Sequence, residues 1–225
     1  MRSILIMSCA LTFSIQIYAT PIGYASEILD DAKAAKLEAW LGNGPIKLTN
    51  IFTKDADDTS YDFHAQVDGK GPTFVLFSVT SGATGETNIV GGYNPVSWSS
   101  DNVYNMTPDP AEKVAFIFNL SKDIKLTQRL DFQGDYQTYN NSAYGPTFGG
   151  GHDIFVGHEL SSVHSWLWSY GADEDLTQSI VPNSRFNPIQ KMEVFAITAV
   201  PEPSAFALAG IGALIVLRSK KRHPV

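Results

Sequence analysis

Short apolar segments separated by polar turn residues make up the middle of the chain. Segments rich in Val, Ile, Phe, Tyr and Trp, and bounded by Gly, Pro, Asn and Asp, predict β-strands. They occur at residues 73–79, 88–90, 114–118, 153–156, 165–170 and 192–200. The Gly-, Asp-, Thr- and Ser-rich stretches between them predict exposed loops at 80–88, 99–110 and 132–148.

Some of these segments are apolar on both strand faces. Phe74 and Leu76 alternate with Val75 and Phe77, and residues 115–118 repeat the pattern. Successive side chains of a strand point to opposite faces, so both faces of such strands need cover. The pattern predicts a mainly β fold of the α+β class, a sandwich with helices or loops packed outside.

One helix is predicted ahead of the strands, at residues 27–41 within the segment 26–45. Ser26 is a good N-cap, acidic residues follow it, and Gly42 can end the helix. We expect the helix to dock on the domain through Trp40. A helix that binds a partner is the alternative.

The first 25 residues have the pattern of a secretory signal peptide: one Arg, an apolar run at 4–17, then small residues. Cleavage after Ala19 or after Ala25 fits, and Gly23 with Ala25 forms the better pair of small residues. An uncleaved anchor is the alternative, although spanning takes about 20 apolar residues. The single cysteine, Cys9, lies in this segment, so the mature chain has no thiol.

The last segment, residues 200–225, has a different pattern. A Pro-Glu-Pro motif precedes an uncharged apolar run at 205–217, and a basic cluster follows. At 1.5 Å per residue this run reaches about 20 Å, short of a roughly 30 Å hydrocarbon core unless its flanks contribute. The basic cluster would act as a cytoplasmic membrane stop; an ordinary C-terminal helix is the alternative. The motif comprises Pro201, Glu202 and Pro203, and the cluster comprises Arg218, Lys220, Lys221 and Arg222.

These three parts in this order resemble the PEP-CTERM sorting signal of envelope-bearing bacteria. The resemblance implies export by way of signal peptidase, a transient stage in the inner membrane, and processing near the motif by an exosortase. The product would reach the cell surface or an extracellular matrix such as that of a biofilm. Whether the short transmembrane helix is removed is left open.

Separating the ends changes the charge of the domain. The whole chain has 23 acidic and 16 basic residues, a formal charge of −7. One acidic and five basic residues lie outside residues 26–200, which leaves 22 and 11, a formal charge of −11. Nucleic-acid binding needs clustered Lys and Arg, so the sequence argues against it.

The sequence has few candidates for metal or nucleophile chemistry. The domain histidines, His64, His152, His158 and His164, do not form an HExxH motif or a Cys/His zinc spacing. No Gly-x-Ser-x-Gly elbow occurs. Residues 55–60 resemble the start of a calcium loop but lack its glycine and its bidentate Glu. We therefore expect no metal or other cofactor, with calcium as the alternative.

A glycine-rich bend at 149–153 is the strongest candidate site. Its residues Gly149, Gly150 and Gly151 precede His152 and Asp153. The simplest interpretation is a bend that leads into a strand. The functional alternatives are an anion-binding nest, or an active-site loop with His152 as a base that Asp153 orients.

Several motifs in order resemble a TLDc (TLD) domain over residues 46–199. They are the "GKGPT" strand entry with Gly71, Pro72 and Thr73, the "GGY…W" turn with Gly91, Gly92 and Trp98, the "AFIFNL" strand with Phe116 and Phe118, the glycine bend, and the closing "EVF" strand with Glu193 and Phe195.

The resemblance implies a β-sandwich of two antiparallel sheets flanked by short helices. Eukaryotic members of the family are tied to oxidation resistance and to contacts with the vacuolar ATPase, with no established catalytic residues. This chain departs from them in having Phe195 where they usually carry Trp, and in its predicted export. A cytosolic ATPase role therefore does not carry over, since a fold does not fix an activity.

Two functions follow as hypotheses. The first is a non-catalytic surface or matrix module that contacts polysaccharide or a surface protein through aromatic residues, namely Tyr93, Trp98, Tyr136, Tyr139 and Tyr144. The second is a secreted hydrolase of exopolysaccharide or peptide, which uses His152 with Asp153 or an acidic pair from the loops.

Overall fold

The computed structural model describes residues 25–171 and 179–200. Most of the predicted signal peptide and the sorting segment 201–225 lie outside these residues. Within the two described ranges, no helix is both long and apolar enough to cross a membrane.

The described part of the chain is mostly β-structure. Its α-helices are α1 (Asp31–Leu41) and α2 (Ser60–Val67). Its strands are β1 (Ile46–Thr53), β2 (Thr73–Thr80), β3 (Thr87–Asn94), β4 (Val103–Met106), β5 (Phe116–Asn119), β6 (Ile124–Thr127), β7 (Tyr136–Asn140), β8 (Thr147–Phe148), β9 (Phe155–Val156), β10 (Ser162–His164) and β11 (Phe186–Ala199).

Strand β11 is the axis of a large antiparallel sheet. β2 pairs with it, and β3, β5 and β6 continue outward from β2. β1 and β10 pair with successive stretches of β11, and β9 continues from β10. Strands β4, β7 and β8 form a second antiparallel sheet. The predicted mainly β fold with two antiparallel sheets is confirmed.

The large sheet buries apolar side chains on both faces. Along β2, Val75 and Phe77 belong to an inner core that includes Phe148 of the second sheet. Phe74 and Leu76 point the other way, into an outer core. The apolar residues on both faces of β2 are thus buried on the two sides of one sheet, as the sequence pattern predicted.

Helix α1 covers the outer core. Ala34 and Leu37 are fully buried there. Trp40 is half-buried and also packs against the outer core, with its ring centroid 6.1 Å from that of Phe118. Lys125 of β6 donates to the Trp40 carbonyl at 2.5 Å and so satisfies an acceptor at the C-terminal end of the helix.

The predicted start of this helix was wrong. The N-cap is Asp30, whose side chain accepts a hydrogen bond from the Lys33 N–H at 2.9 Å, and the helix begins at Asp31. The Ser26 hydroxyl instead accepts from the N–H groups of the next turn. That turn lets Ile28 enter the outer core before the helix starts. Gly42 ends the helix in the left-handed conformation, as predicted.

Most predicted strands occur with different bounds. Those at 73–79, 88–90, 114–118 and 192–200 correspond to β2, β3, β5 and β11, and only the end of 153–156 forms a strand, β9. The "GGY" motif lies within β3 and is not a turn. Glycine is needed in this strand because a Cβ on Gly92 would lie 2.5 Å from the Phe148 ring.

The predicted strand at 165–170 was wrong. This segment is irregular because the Asp153 carboxylate accepts the N–H groups of residues 168–170, which a strand would use for pairing. The predicted loops at 99–110 and 132–148 were also wrong in part, since they contain β4, β7 and β8. Gln137 is polar yet buried, and its amide donates to Asn94 at 2.9 Å.

Helix α2 was missed by the sequence reasoning. Thr59 and Asp62 form a capping box at its start, with the Asp62 carboxylate accepting from the Thr59 N–H at 2.9 Å. The segment compared with a calcium loop therefore runs into a helix at Ser60. The acidic residues are better explained as helix-capping and turn residues.

The outer core predicts a large effect for one substitution in α1. We expect Leu37→Ala to lower the free energy of unfolding by about 2–4 kcal/mol, because it leaves a cavity in a packed site. The matched control is Leu130→Ala, since Leu130 is 72% exposed, with an expected change within about 0.5 kcal/mol. Denaturant unfolding measures both. Equal effects of the two substitutions would mean that α1 is not an integral part of the fold.

Candidate functional site

The 149–153 bend has a backbone that few residues adopt. Gly149 has φ +79° and His152 has φ +62°, both in the left-handed region. The bend follows β8, and Ile154 immediately after it forms a bridge with Phe148. It is therefore a tight reversal that returns the chain to the inner core, in agreement with the simpler interpretation of the sequence.

The Asp153 side chain points into the protein. It is fully buried, and its Oδ1 accepts from the N–H groups of Trp168, Ser169 and Tyr170 at 2.7, 2.9 and 2.8 Å. In the described part of the chain, no hydrogen bond joins it to His152. The carboxyl group organises the 168–170 segment and does not orient His152 as a base.

Burial changes the protonation of this carboxyl group. Desolvation raises the pKa of Asp153 from 3.8 to about 7, although the backbone N–H groups that it accepts act in the opposite direction. The neutral form is therefore favoured by the fold relative to the unfolded chain. This buried carboxyl bridges two segments, and its contribution to the free energy of unfolding therefore depends on pH.

His152 belongs to a group of stacked rings. Its ring lies nearly parallel to that of Phe155, with 5.1 Å between centroids, and also near the rings of Tyr139 and Tyr144. Desolvation lowers the pKa of His152, so the neutral imidazole is favoured. A neutral ring among aromatic rings is suited to stacking.

Each glycine of the bend allows a close approach. A Cβ on Gly149 would lie 1.8 Å from the Asp153 carboxylate. On Gly150 it would lie 2.8 Å from the Tyr136 ring, and on Gly151 it would lie 2.3 Å from the Trp168 Cβ. The triple glycine thus places two aromatic side chains directly against the backbone.

The rings around the bend form one continuous patch, which we name the aromatic surface. Its members are linked by ring contacts or share the depressions beside Gly151, and several are strongly exposed: Phe132 64%, Phe186 53%, Trp166 49% and Trp168 38%. The aromatic surface comprises Tyr104, Phe132, Tyr136, Tyr139, Tyr144, His152, Phe155, His164, Trp166, Trp168 and Phe186.

Two shallow depressions lie on either side of Gly151. One, of about 500 Å³, is lined by Phe132, Tyr136 and Trp168 among others. The other, of about 330 Å³, includes Trp166 and Arg185, with the Arg185 guanidinium 3.8 Å from the ring centroid of Trp166. Both are open, so the aromatic surface suits an extended ligand better than an enclosed small molecule.

The aromatic residues proposed from sequence divide into two groups. Tyr136, Tyr139 and Tyr144 are half-buried members of the aromatic surface. Tyr93 and Trp98 were wrongly included as contact residues, because they are 6% and 1% exposed. Tyr93 packs in the outer core and Trp98 in the inner core.

The sequence reasoning missed the most exposed rings of this surface. Trp166 and Trp168 alternate with buried Ser165 and Leu167. The apolar and aromatic content of this segment predicted a strand, whereas its alternation marks one outward-facing side of an irregular segment. Only the fold shows that this side adjoins the glycine bend.

The remaining family-motif residues have packing roles. Trp98 donates from Nε1 to the Thr73 hydroxyl at 2.9 Å, and the Pro72 carbonyl accepts from the Ile197 N–H at 3.0 Å. Gly71 has φ +77°. The side chains of Phe116, Phe118 and Phe195 fill the outer core. Glu193 is buried and receives hydrogen bonds from the residues just before α1.

The other domain histidines also have structural partners. His64 joins Asp68 at 2.7 Å through Nδ1 and two loop carbonyls through Nε2. His158 Nδ1 lies 2.8 Å from the Ser60 hydroxyl, but that hydroxyl is buried and donates to the Ser142 carbonyl. A hydroxyl has one proton, so His158 must be the donor and cannot activate Ser60 as a nucleophile.

Within residues 25–171 and 179–200, no group of three or more His, Cys, Asp or Glu side chains could hold a metal ion. The expectation of no cofactor, with calcium as the alternative, stays a prediction of the sequence.

The described residues form an antiparallel β-sandwich domain with a helix over the outer face of its larger sheet. The TLDc domain family matches residues 22–198, which is most of the chain, and the chain belongs to this family. The PEP-CTERM protein-sorting motif matches residues 199–222. No curated protein matches the chain.

The sorting motif has a direct consequence for location. It implies an exported protein that an exosortase processes, with a final position at the surface or outside the cell. The matched TLDc region includes α1, so the helix belongs to the domain by sequence as well as by packing.

The buried Asp153 predicts different effects for two substitutions. Asp153→Ala removes the acceptor of three N–H groups, two of them buried, and should lower the free energy of unfolding by about 3 kcal/mol or more. Asp153→Asn keeps an acceptor oxygen at the Oδ1 position, so we expect a smaller loss. Denaturant unfolding measures the difference, and equal losses would contradict the role assigned to Oδ1.

The raised pKa of Asp153 also predicts a pH dependence. The folded state holds a proton that the unfolded chain releases at the ordinary value of 3.8. Stability should therefore fall as the pH rises from 3.8 to about 7. Asp153→Asn, which has no such proton, should lack this part of the decline. A decline of the same size in both proteins would show that other groups cause it.

Proposed function

We propose that this exported protein is a non-catalytic binding protein of the cell surface or extracellular matrix, whose TLDc domain binds neutral polysaccharide through the aromatic surface. The observation that carries the proposal is the set of exposed rings around the glycine bend, above all Trp166, Trp168 and Phe132. Large exposed apolar patches on soluble domains commonly mark interaction sites.

The chemistry of the rings favours sugars. The C–H face of a pyranose stacks on an aromatic ring, while Tyr hydroxyl and Trp N–H groups can bond sugar hydroxyls. Arg185 covers one face of the Trp166 ring, and the ring is still 49% exposed to solvent. Rings held in place by neighbours lose little freedom when a ligand binds.

The shape of the surface favours a chain of sugars over a single sugar. The two open depressions meet at Gly151, which lines both. A polysaccharide lying across the bend would contact rings on both sides of it. Several weak stacking contacts along one chain then add to a useful affinity.

Charge favours a neutral polymer over an acidic one. Residues 26–200 carry a formal charge of −11. A domain of this net charge repels uronic-acid-rich or sulfated polysaccharides, and the repulsion is strongest at low ionic strength. Delivery by the sorting motif brings the domain to the compartment where extracellular polysaccharide is found.

The double substitution Trp166→Ala with Trp168→Ala tests the proposal. We expect the wild-type protein to be retarded in native gels that contain neutral β-glucan, dextran or galactomannan, and not in gels with alginate. The double variant should lose about tenfold or more in affinity, since a ring stack contributes about 1 kcal/mol and 1.4 kcal/mol corresponds to tenfold.

Tyr61→Ala is the matched control, because Tyr61 is a 59% exposed ring whose ring contact is with His158, outside the aromatic surface. Its retardation should equal that of the wild type. No retardation of the wild type by any neutral polymer, or equal retardation of the double variant, would overturn the proposal.

A glycine pair gives an independent check of the same surface. Gly151→Ala places a Cβ against Trp168 and should weaken polysaccharide binding, whereas Gly157→Ala meets no atom within 4 Å and should not. Both positions lack a positive φ, so the comparison isolates the displacement of the ring. Equal binding by the two variants would argue against a role for the position of Trp168.

A further inference from the structure

Glu193 is a buried acidic residue in the middle of β11. It is 1% exposed, and it lies on the same face of the strand as Phe195 in the outer core. Its Oε2 accepts from the Ser26 hydroxyl at 2.5 Å, and its Oε1 accepts from the Glu27 N–H at 2.8 Å. The carboxylate therefore fastens the segment that precedes α1.

This carboxylate has no cationic partner in the described part of the chain. The nearby Lys191 forms its ion pair with Glu27 at the surface. Burying a carboxylate is costly unless a charge and hydrogen bonds compensate it. The hydroxyl and the N–H group that donate to Glu193 stabilise its charge, and an adjacent positive group would stabilise it further.

Ser26 directly follows one of the two signal-peptide cleavage positions. Hydrolysis of the peptide bond between Ala25 and Ser26 adds one water: the carboxylate stays on Ala25, and the freed amine of Ser26 takes up a proton. That ammonium would lie beside Glu193, because it belongs to the same residue as the hydroxyl already bonded to Oε2. Cleavage after Ala19 leaves the Ser26 nitrogen in a neutral peptide bond.

We propose that signal peptidase cleaves after Ala25 and that the new Ser26 ammonium forms an ion pair with the buried carboxylate of Glu193. Removal of the signal peptide then supplies a positive charge next to Glu193. The ion pair anchors the start of the segment that leads into α1. This proposal does not depend on polysaccharide binding, and its test is separate.

The first experiment locates the mature N-terminus. The full chain is expressed with its own signal in an exporting bacterium, and the N-terminal peptide is identified by mass spectrometry. We expect it to begin at Ser26. Ala25→Phe should move cleavage to the bond after Ala19, and Ala19→Phe should leave it after Ala25. A wild-type protein that begins at Thr20 would overturn the proposal.

The second experiment tests the ion pair. The exported Ala19→Phe and Ala25→Phe proteins begin at Ser26 and Thr20, respectively, and the first should unfold about 3 °C or more higher. In the background of Glu193→Gln this difference should disappear. Persistence of the difference in Glu193→Gln, or its absence in the parent proteins, would show that the ammonium does not pair with Glu193.

A third measurement covers the case in which Glu193→Gln does not fold. The α-amine of the Ser26 protein should react with an aldehyde reagent at least tenfold more slowly when folded than in urea. The α-amine of the Thr20 protein should react at similar rates in both conditions. Equally rapid labelling of the Ser26 protein in the folded state and in urea would overturn the ion pair.

Discussion

The large sheet must be covered on both faces, and this constraint organises the whole domain. β2 alternates Val75 and Phe77 with Phe74 and Leu76, so neither face can be left in water. The second sheet and the 149–153 bend close the inner face, and the N-terminal segment with α1 closes the outer face. The residues just ahead of α1 are therefore part of the core, as Ile28 and Leu29 show.

Two buried carboxyl groups hold the covering segments in place. Asp153 gathers three backbone N–H groups of the 168–170 segment, and this keeps Trp168 at the surface instead of in a regular strand. Glu193 binds the residues ahead of α1 in the same manner. In both cases a buried carboxyl group specifies one position for an irregular segment, because any other position of the segment would leave the carboxyl group without hydrogen-bond partners.

The sequence predicted where the candidate site lies, but it did not predict the full set of residues that form the site. The glycine bend and three of its aromatic neighbours, Tyr136, Tyr139 and Tyr144, were identified from residue type. Tyr93 and Trp98 were misjudged, because exposure depends on which face of a strand or turn is covered. The pairing of His152 with Asp153 was plausible because the two residues are adjacent. In the structure His152 has a left-handed backbone, its ring stacks on Phe155, and the Asp153 carboxylate accepts from backbone N–H groups instead.

The sequence by itself determined the class of fold, the family and the destination of this protein, because apolar periodicity, ordered motifs and a terminal sorting signal are all local along the chain. Only the tertiary structure decided where the helix begins, which rings are exposed, and which groups Asp153 and Glu193 bind. Those outcomes depend on contacts between residues far apart in sequence, such as Glu193 with Ser26, and no local pattern carries them.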